Sequence, residues 1–206
     1  MTTTLSNIAR RLNFQAGATY LPPLIFLTDE KRLPDPREAA SRLPIGSAVL
    51  LRHYRYPKRK ELALSLKLIC NTHGLQLIIA DDIKLAIETG ADGVHLPEHR
   101  LKSPTPDILR WRRTRLGFLT GAAHTPGALR AALWMGIDAA LLSPVFSSAS
   151  HHTDHHLGII RFAKFCRMAP LPVYALGGIN NITAKRLLGS GAAGIAAIGA
   201  IVNRIR

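Results

Sequence analysis

The sequence predicts a (β/α)8 TIM barrel, a closed ring of eight parallel strands in which each strand is followed by a helix. The chain has 206 residues, which is most simply one compact domain. It alternates short apolar runs with amphipathic segments, and strands buried on both faces and followed by helices indicate parallel pairing. We expect residues 1–21 to form a short N-terminal extension and residues 22–206 to form the barrel. An open doubly wound sheet is the structural alternative.

The strands and helices follow in order from this rhythm. The predicted strands lie at 23–28, 47–52, 75–80, 92–96, 115–121, 138–143, 171–176 and 193–199. The predicted helices lie near 36–43, 58–72, 82–89, 104–113, 125–135, 157–168 and 182–189, with a last short one near 200–205. The first twenty residues lack the apolar segment of a secretory signal, so we expect a helical extension in preference to an organelle transit peptide.

Three stretches share one pattern, in which a helix ends at glycine and a strand begins: "TGADGVHL" (89–96), "MGIDAALLS" (135–143) and "SGAAGIAAIG" (190–199). Glycine readily adopts the left-handed conformation that terminates helices. The pattern therefore indicates architecture, without requiring a function for these glycines.

Composition restricts the partners of the chain. The formal net charge is +14, concentrated in "RHYRYPKRK" (52–60) and "RWRRTR" (110–115), which would attract phosphates, nucleic acid or acidic membranes. No apolar stretch reaches the roughly 18 residues of a membrane span. Cys70 and Cys166 are solitary thiols, which favours a reducing compartment and predicts a cytoplasmic location.

In such a barrel the ligand site lies where the strands end, in the turns at their carboxyl ends. Gly177 and Gly178 follow the seventh strand and Gly199 follows the eighth. Bare backbone N–H groups before a helix N-terminus suit a phosphate, so these three glycines are predicted to bind one. The alternative is that they only permit tight packing.

An ordered set of motifs carries a family resemblance: "LTDE", "LLR", "ADDIKLAIETGADGVHL", "AAHT", "SPVF" and "ALGGIN…GSGAAGIAAIGAI". Over residues 23–202 the chain resembles the thiamine phosphate synthase and thiazole tautomerase superfamily, whose fold is a (β/α)8 barrel. The resemblance implies one of two activities. The synthase joins hydroxymethylpyrimidine diphosphate to a thiazole phosphate and releases pyrophosphate with the help of Mg²⁺, whereas the tautomerase aromatises the thiazole phosphate without a metal.

The resemblance transfers unevenly to the residues of the first half. Arg52 matches the arginine of the family's Gln-x-Arg-x-Lys pattern, which engages pyrophosphate, but Leu50 and Tyr54 replace the glutamine and lysine. Asp81 matches one carboxylate of the magnesium pair, and Arg100 stands where the other is expected. An arginine in place of a metal ligand repels a cation, so the resemblance implies Mg²⁺ while this substitution counts against it.

Later turns also depart from the family. His124 matches the "GxSxHT" turn, whose serine is Ala122 here, and Gly199 replaces a serine of the last strand. His151 replaces the phosphate-binding lysine of "GPVFPTxTK" and is predicted to bind phosphate. The run His151–His156 has three interpretations, a metal site, a partly protonated grip on an anion, or a lid with no fixed ligand.

His124 has two interpretations. In the tautomerase branch of the family the matching histidine lies near the substrate, so the resemblance implies that His124 could shuttle a proton between the thiazole carbon and carboxylate. The unperturbed pKa of histidine, close to 7, suits that role. Alternatively it caps the following helix and makes a hydrogen bond to a residue behind those that contact the ligand. His95 is expected to be structural, and Asp29 and Asp81 could be ligands at strand ends or helix N-caps.

The sequence thus predicts catalytic roles for Arg52, Asp81 and His124 in a thiamine phosphate synthase-like protein. A metal-free thiazole tautomerase and a non-catalytic binding or regulatory protein are the alternatives. The expected partner is a small phosphorylated thiazole or pyrimidine. The basic turn at 52–60 also resembles a single-stranded nucleic-acid surface, but its place at the barrel mouth favours the small ligand. A homodimer is left open.

Overall fold

A computed structural model of the chain describes residues 4–114, 117–147 and 156–202. Its strands form a closed barrel in sequence order, with every neighbouring pair parallel and β1 hydrogen-bonded to β8. The strands are β1 (Leu24–Leu27), β2 (Ala48–Leu51), β3 (Gln76–Ala80), β4 (Gly93–Leu96), β5 (Phe118–Ala123), β6 (Ala139–Leu142), β7 (Val173–Leu176) and β8 (Gly194–Ala197). The closed barrel predicted from the sequence is therefore confirmed, and the open sheet is wrong.

Helices cover the outside of this barrel. They are α1 (Leu5–Gln15), α2 (Arg37–Ser41), α3 (Arg59–His73), α4 (Ile83–Thr89), α5 (Glu98–Lys102), α6 (Pro106–Thr114), α7 (Pro126–Trp134), α8 (Gly158–Met168) and α9 (Gly199–Val202), with a 3-10 helix at Thr183–Leu187. In the described part of the chain, no helix combines the length and apolarity needed to cross a membrane.

Two helical segments differ from the sequence prediction. Helix α5 was not predicted, because "EHRLK" places only Leu101 on the core. The segment predicted as an α-helix near 182–189 is a 3-10 helix, Thr183–Leu187. The Asn180 side chain accepts the amides of Ile182 and Thr183, and the chain turns again at Gly189 (φ +77°), so only a short, tight helix fits between them.

The strands are buried on both faces because their apolar side chains alternate between two layers. One layer fills the barrel and includes Ile25, Leu50 and Tyr174. The other layer lies between the strands and the helices and includes Phe26 and Leu77. Period-two alternation in a continuous apolar run produces both layers, as expected for parallel strands covered by helices.

The glycines of two of the three repeats end helices as predicted, whereas in the third the 3-10 helix already ends at Leu187, before Gly191. Gly90 caps α4 at φ +61°, and Gly136 follows α7 at φ +63°. In these two repeats, the aspartate two residues after the glycine then bonds to the neighbouring strand. Asp92 accepts the amide of Leu77, and Asp138 accepts the amide of Leu119. These aspartates thus align the amino ends of adjacent strands.

The segment before β1 closes the amino-terminal end of the barrel. Helix α1 begins at the cap Thr4 and buries Leu5, Ile8 and Leu12. From its last turn, Asn13 Nδ2 donates to the carbonyl oxygens of Ala18, Leu21 and Ala193 at 2.8, 3.2 and 3.0 Å. The Tyr174 hydroxyl, inside the barrel, donates to the Pro22 carbonyl at 2.6 Å. Because this end is closed, a ligand site is expected at the opposite end, where the strands have their carboxyl ends.

Candidate active site at the barrel mouth

The barrel mouth is the set of turns at the carboxyl ends of the strands. It brings together the turns that carry Arg52, Asp81 and His124, which follow β2, β3 and β5. Gly177 and Gly178 follow β7, and Gly199 follows β8 at the start of α9. His151 and most of the run His151–His156 lie outside the described residues; only His156 is described, and it is exposed. The predicted roles of all these residues stay predictions.

Arg52 lies in a cleft between the turns after β1 and β2. The Arg52 backbone amide donates to Thr28 Oγ1 at 3.0 Å, and Thr28 Oγ1 lies 2.9 Å from Nδ1 of the buried His53. The cleft has a volume of about 170 Å³ and is also lined by Asp29, Glu30, Lys31 and Tyr54. Side chains of both charges therefore surround a space large enough for a small phosphoryl group.

The floor beside Arg52 contains His95, which is buried in β4. His95 Nδ1 lies 2.9 Å from Thr120 Oγ1 of β5. Burial, and to a lesser extent the positive charge of Arg52, lowers the pKa of His95 to about 3. His95 is thus neutral near pH 7 and bonded within the barrel, which agrees with a structural role.

On the β3 side of the mouth, Asp81 is paired with Arg100. Arg100 Nη1 lies 2.6 Å from Asp81 Oδ1, and the Arg100 side chain is 19% exposed. The predicted alternative of Asp81 as a helix cap is wrong, because the Asp82 side chain accepts the Leu85 amide and caps α4. The Asp29 side chain accepts the amides of Lys31 and Arg32 within a turn, but α2 begins at Arg37 with Pro36 as its N-cap, so the helix-cap alternative is wrong for Asp29 as well.

The residues at Asp81 do not fit a magnesium ion. Mg²⁺ requires several oxygen ligands in near-octahedral geometry, and the Asp81 carboxylate is instead bonded to a guanidinium. Within residues 4–114, 117–147 and 156–202, no three His, Cys, Asp or Glu side chains are grouped as a metal site would require. We therefore derive no step through a metal.

His124 is hydrogen-bonded to Glu98. His124 Nδ1 lies 2.7 Å from Glu98 Oε2, and the His124 backbone amide donates to the same oxygen at 2.9 Å. The alternative in which His124 caps the next helix is wrong, because Thr125 caps α7 through the Ala128 amide. The carboxylate fixes the imidazole ring by one nitrogen and leaves Nε2 as the nitrogen that could exchange a proton with a ligand.

The glycine turns after β7 and β8 differ in how closely they are packed. A Cβ atom on Gly178 would lie 2.3 Å from the Ser147 carbonyl oxygen, and one on Gly177 would lie 2.9 Å from the Pro144 Cα atom. A Cβ atom on Gly199 would meet only Arg32 Nη1, at 3.9 Å. Packing alone therefore accounts for Gly177 and Gly178, while Gly199 presents open space beside a guanidinium.

Two arginines of the mouth were not singled out from the sequence. Arg32, in the turn after β1, lies beside Gly199. Arg59 donates to the Ala80 carbonyl at 2.7 Å and pairs with Asp82 at 3.0 Å, so it binds the end of β3. The basic turn at 52–60 predicted a positive charge at this place, but it did not predict which groups Arg59 would bind.

Comparison with known proteins agrees with this architecture. The family model for thiamine monophosphate synthase matches residues 24–201. The chain is 32% identical over 157 residues to a putative thiamine-phosphate synthase of Geobacter sulfurreducens, covering 75% of this chain and 72% of that protein. It is 29% identical over 184 residues to putative thiamine-phosphate synthase 2 of Aquifex aeolicus, covering 86% and 96%.

Among solved structures, the fold is similar to that of thiamine phosphate pyrophosphorylase from Pyrococcus furiosus. The TM-score is 0.72 at 22% sequence identity, covering 95% of this chain and 90% of that chain. The family match spans every strand of the barrel and both glycine turns of the mouth. The chain therefore belongs to the thiamine monophosphate synthase family.

Proposed function

We propose that this protein binds a thiazole phosphate at the barrel mouth and joins it to hydroxymethylpyrimidine diphosphate, releasing pyrophosphate, as a synthase of thiamine biosynthesis. Family membership over residues 24–201 carries the proposal. The cleft around Arg52 supports it, because a partly buried guanidinium stabilises phosphate oxygens through charge-assisted hydrogen bonds.

In this reaction the residues of the mouth stabilise charge. The bond between the pyrimidine methylene carbon and the diphosphate oxygen breaks, and its electron pair leaves on pyrophosphate. The lone pair of the thiazole ring nitrogen then forms the new C–N bond to the methylene carbon. Arg52 stabilises that negative charge, and amides of Gly177, Gly178 and Gly199 bind the phosphate of the thiazole. Preorganised donors of this kind commonly supply the largest part of an enzyme's rate acceleration.

The proposal is tested by measuring pyrophosphate release from the two substrates, both with Mg²⁺ and with a chelator. We expect release by the wild-type protein, and a decrease on the order of 100-fold in the Arg52→Gln variant, typical of losing one electrostatic donor. Arg55→Gln is the matched control, because Arg55 is an exposed cation of the same turn. Absence of release under both conditions would contradict the proposal.

A second candidate function is a metal-free isomerisation of the thiazole phosphate, and the hydrogen bond between Glu98 and His124 favours it. With Nδ1 bonded to Glu98, Nε2 of His124 would accept a proton from the thiazole ring and return it at another position. Removing a general acid or base typically costs 10²–10⁴-fold in rate.

This isomerisation would be measured with chelator present. We expect His124→Ala to lower the rate of isomerisation by a factor within that range. Glu98→Gln should lower the rate by roughly tenfold, since Glu98 only positions the ring. His99→Ala, at an exposed histidine of α5, is the control. A protein that binds thiazole phosphate but performs neither reaction would instead match the non-catalytic alternative.

A further inference from the structure

Arg100 is held at the mouth by acceptors from two different segments. Its Nη1 atom donates to Asp81 after β3, at 2.6 Å. Its Nη2 atom donates to Thr105 Oγ1 at 2.7 Å and to Asp107 Oδ2 at 3.4 Å, at the start of α6. Thr105 in turn donates to Asp107. The guanidinium is therefore fixed between two carboxylates and a hydroxyl, with its own side chain 19% exposed.

The backbone also fixes Asp81. It has φ +52°, the only positive φ of a residue other than glycine in the described chain, and its amide donates to the His95 carbonyl at 2.9 Å. A residue with a Cβ atom adopts this conformation at a cost in free energy, so the surrounding contacts must hold it there. The carboxylate is thus directed at the guanidinium by a rigid turn.

The neighbouring carboxylate of this turn is paired in the same way. Asp82 Oδ2 lies 3.0 Å from Arg59 Nη1, whose side chain is 15% exposed. Both aspartates after β3 therefore have an arginine as counter-ion. The sequence pair Asp81-Asp82, which could otherwise attract a divalent cation, is neutralised from both sides.

The charge of Arg100 is permanent. Burial acts to lower its pKa, but hydrogen bonding and attraction to Asp81 and Asp107 outweigh burial, so its pKa lies above its ordinary value. A guanidinium stays protonated in proteins at any ordinary pH. A metal ion at Asp81 would have to displace this cation and would be repelled by it.

We propose that the guanidinium of Arg100 replaces a divalent metal as the fixed cation beside Asp81, so that the mouth binds its phosphorylated ligand without Mg²⁺. This inference rests on the proposed function, because that function supplies the ligand. It also explains how the family fold could retain an anion site while one expected carboxylate is an arginine. Metal independence then follows from one substitution in this chain, Arg100 in place of the expected carboxylate.

Binding of Mn²⁺, followed by electron paramagnetic resonance, tests the replacement directly. In the wild-type protein we expect no Mn²⁺ bound in a manner that depends on Asp81, so Asp81→Asn leaves the titration unchanged. In Arg100→Gln the oxygens of Asp81, Thr105 and Asp107 become free to bind a cation. We expect a gained site at least about tenfold tighter than any in this region of the wild type, lost again in Arg100→Gln/Asp81→Asn.

Lys102→Gln is the matched control, because it removes one positive charge from the same helix without freeing Asp81. Binding sites elsewhere, including the histidine run, are unaffected by Asp81→Asn and so do not enter the comparison. An Asp81-dependent Mn²⁺ site in the wild-type protein would overturn the inference, even if the Arg100 variant fails to fold. A gained site in Arg100→Gln that survives Asp81→Asn would overturn it as well.

Calorimetry with thiazole phosphate completes the test. We expect wild-type affinities with chelator and with Mg²⁺ to agree within about twofold, whereas a loss of tenfold or more with chelator would overturn the inference. Pyrophosphate release that strictly requires Mg²⁺ would refute metal independence and leave the synthase proposal standing. Absence of binding and release would refute the synthase proposal, while the Mn²⁺ result would still decide the role of Arg100.

Discussion

The two ends of the barrel use their polar side chains differently. At the amino-terminal end, Asn13 and Tyr174 donate to backbone carbonyl oxygens, and Asp92 and Asp138 accept backbone amides. At the mouth, the pairs Asp81–Arg100 and Glu98–His124 join side chains to each other in partly exposed positions. The closed end therefore stabilises the chain, while the mouth retains charge that a ligand can use.

This difference follows from the position of each group relative to water. A buried side chain that satisfies backbone groups leaves them unpaired when it is removed, and unpaired buried groups cost about 1–3 kcal/mol each. Exposed ion pairs contribute about 0–1 kcal/mol, so their removal changes stability little. Substitutions at the two ends should separate cleanly into effects on unfolding and effects on binding.

The largest effect is expected at the closed end, for Asn13→Ala. This change removes the shared donor of three carbonyl oxygens, of which Ala18 keeps the Leu21 amide and the other two lose this partner, and we expect the free energy of unfolding to fall by about 3 kcal/mol. Denaturant titration measures it, with Asn7→Ala on the exposed face of the same helix as control. Equal stability of the two variants would show that the closed end does not depend on these bonds.

A second substitution tests whether the glycine turn of the mouth contributes to stability as the closed end does. Gly178 and Gly189 both have positive φ, +64° and +77°. A Cβ atom on Gly178 would lie 2.3 Å from a backbone carbonyl oxygen, whereas one on Gly189 would meet no atom within 4 Å. Both alanine variants lose about 1 kcal/mol through conformational strain. We expect Gly178→Ala to lose about 2 kcal/mol more in thermal or denaturant unfolding, because the turn must move. Equal losses in the free energy of unfolding for the two variants would mean that the turn at Gly178 moves to accommodate the added methyl group without a further cost.

The pH dependence of stability tests His95, between the two ends. Its folded pKa of about 3 is below the unfolded value of about 6.5, so the unfolded state binds the proton first as pH falls. Stability is therefore full above about pH 6.5 and declines toward pH 3, by about 2 kcal/mol at pH 5. His95→Gln should remove this component of the acid dependence; parallel curves for the two proteins would contradict the prediction.

The smallest effect on stability is expected at the mouth, for Arg52→Gln. Its guanidinium is partly exposed, so the free energy of unfolding should change by less than about 1 kcal/mol. Affinity for thiazole phosphate, measured by calorimetry, should fall by about tenfold or more, because a charge-assisted contact is lost. A variant that unfolds readily but binds normally would reverse the contrast between the two ends.

The barrel could be predicted from the sequence because buried parallel strands appear as continuous apolar runs. β3 and β7 lie within a few residues of their predictions, whereas β5 was placed too early. The apolar residues of the run "RLGFLTG" begin at its second position, but the strand begins at Phe118 and continues through the small residues Ala122 and Ala123. Small residues carry a weak periodic signal, so that strand boundary was obscured.

The site could be predicted only in part. Assigning turns to the carboxyl ends of strands placed Asp81, Arg100 and His124 at the same mouth. The pairing of Asp81 with Arg100 and of Glu98 with His124 depends on side-chain positions within and between turns, which spacing does not determine. The replacement of a carboxylate by Arg100 was visible in the sequence, but its bond to Asp81 was not.

The contact between Asn13 and the Ala193 carbonyl joins residues 180 positions apart. During synthesis, α1 leaves the ribosome long before the ribosome has made Ala193 and the strand that follows it, β8. Until then the apolar face formed by Leu5, Ile8 and Leu12 lacks this final docking surface. Nascent chains that stop before β8 should therefore be bound by chaperones through this helix, and completion of the last strand should release them.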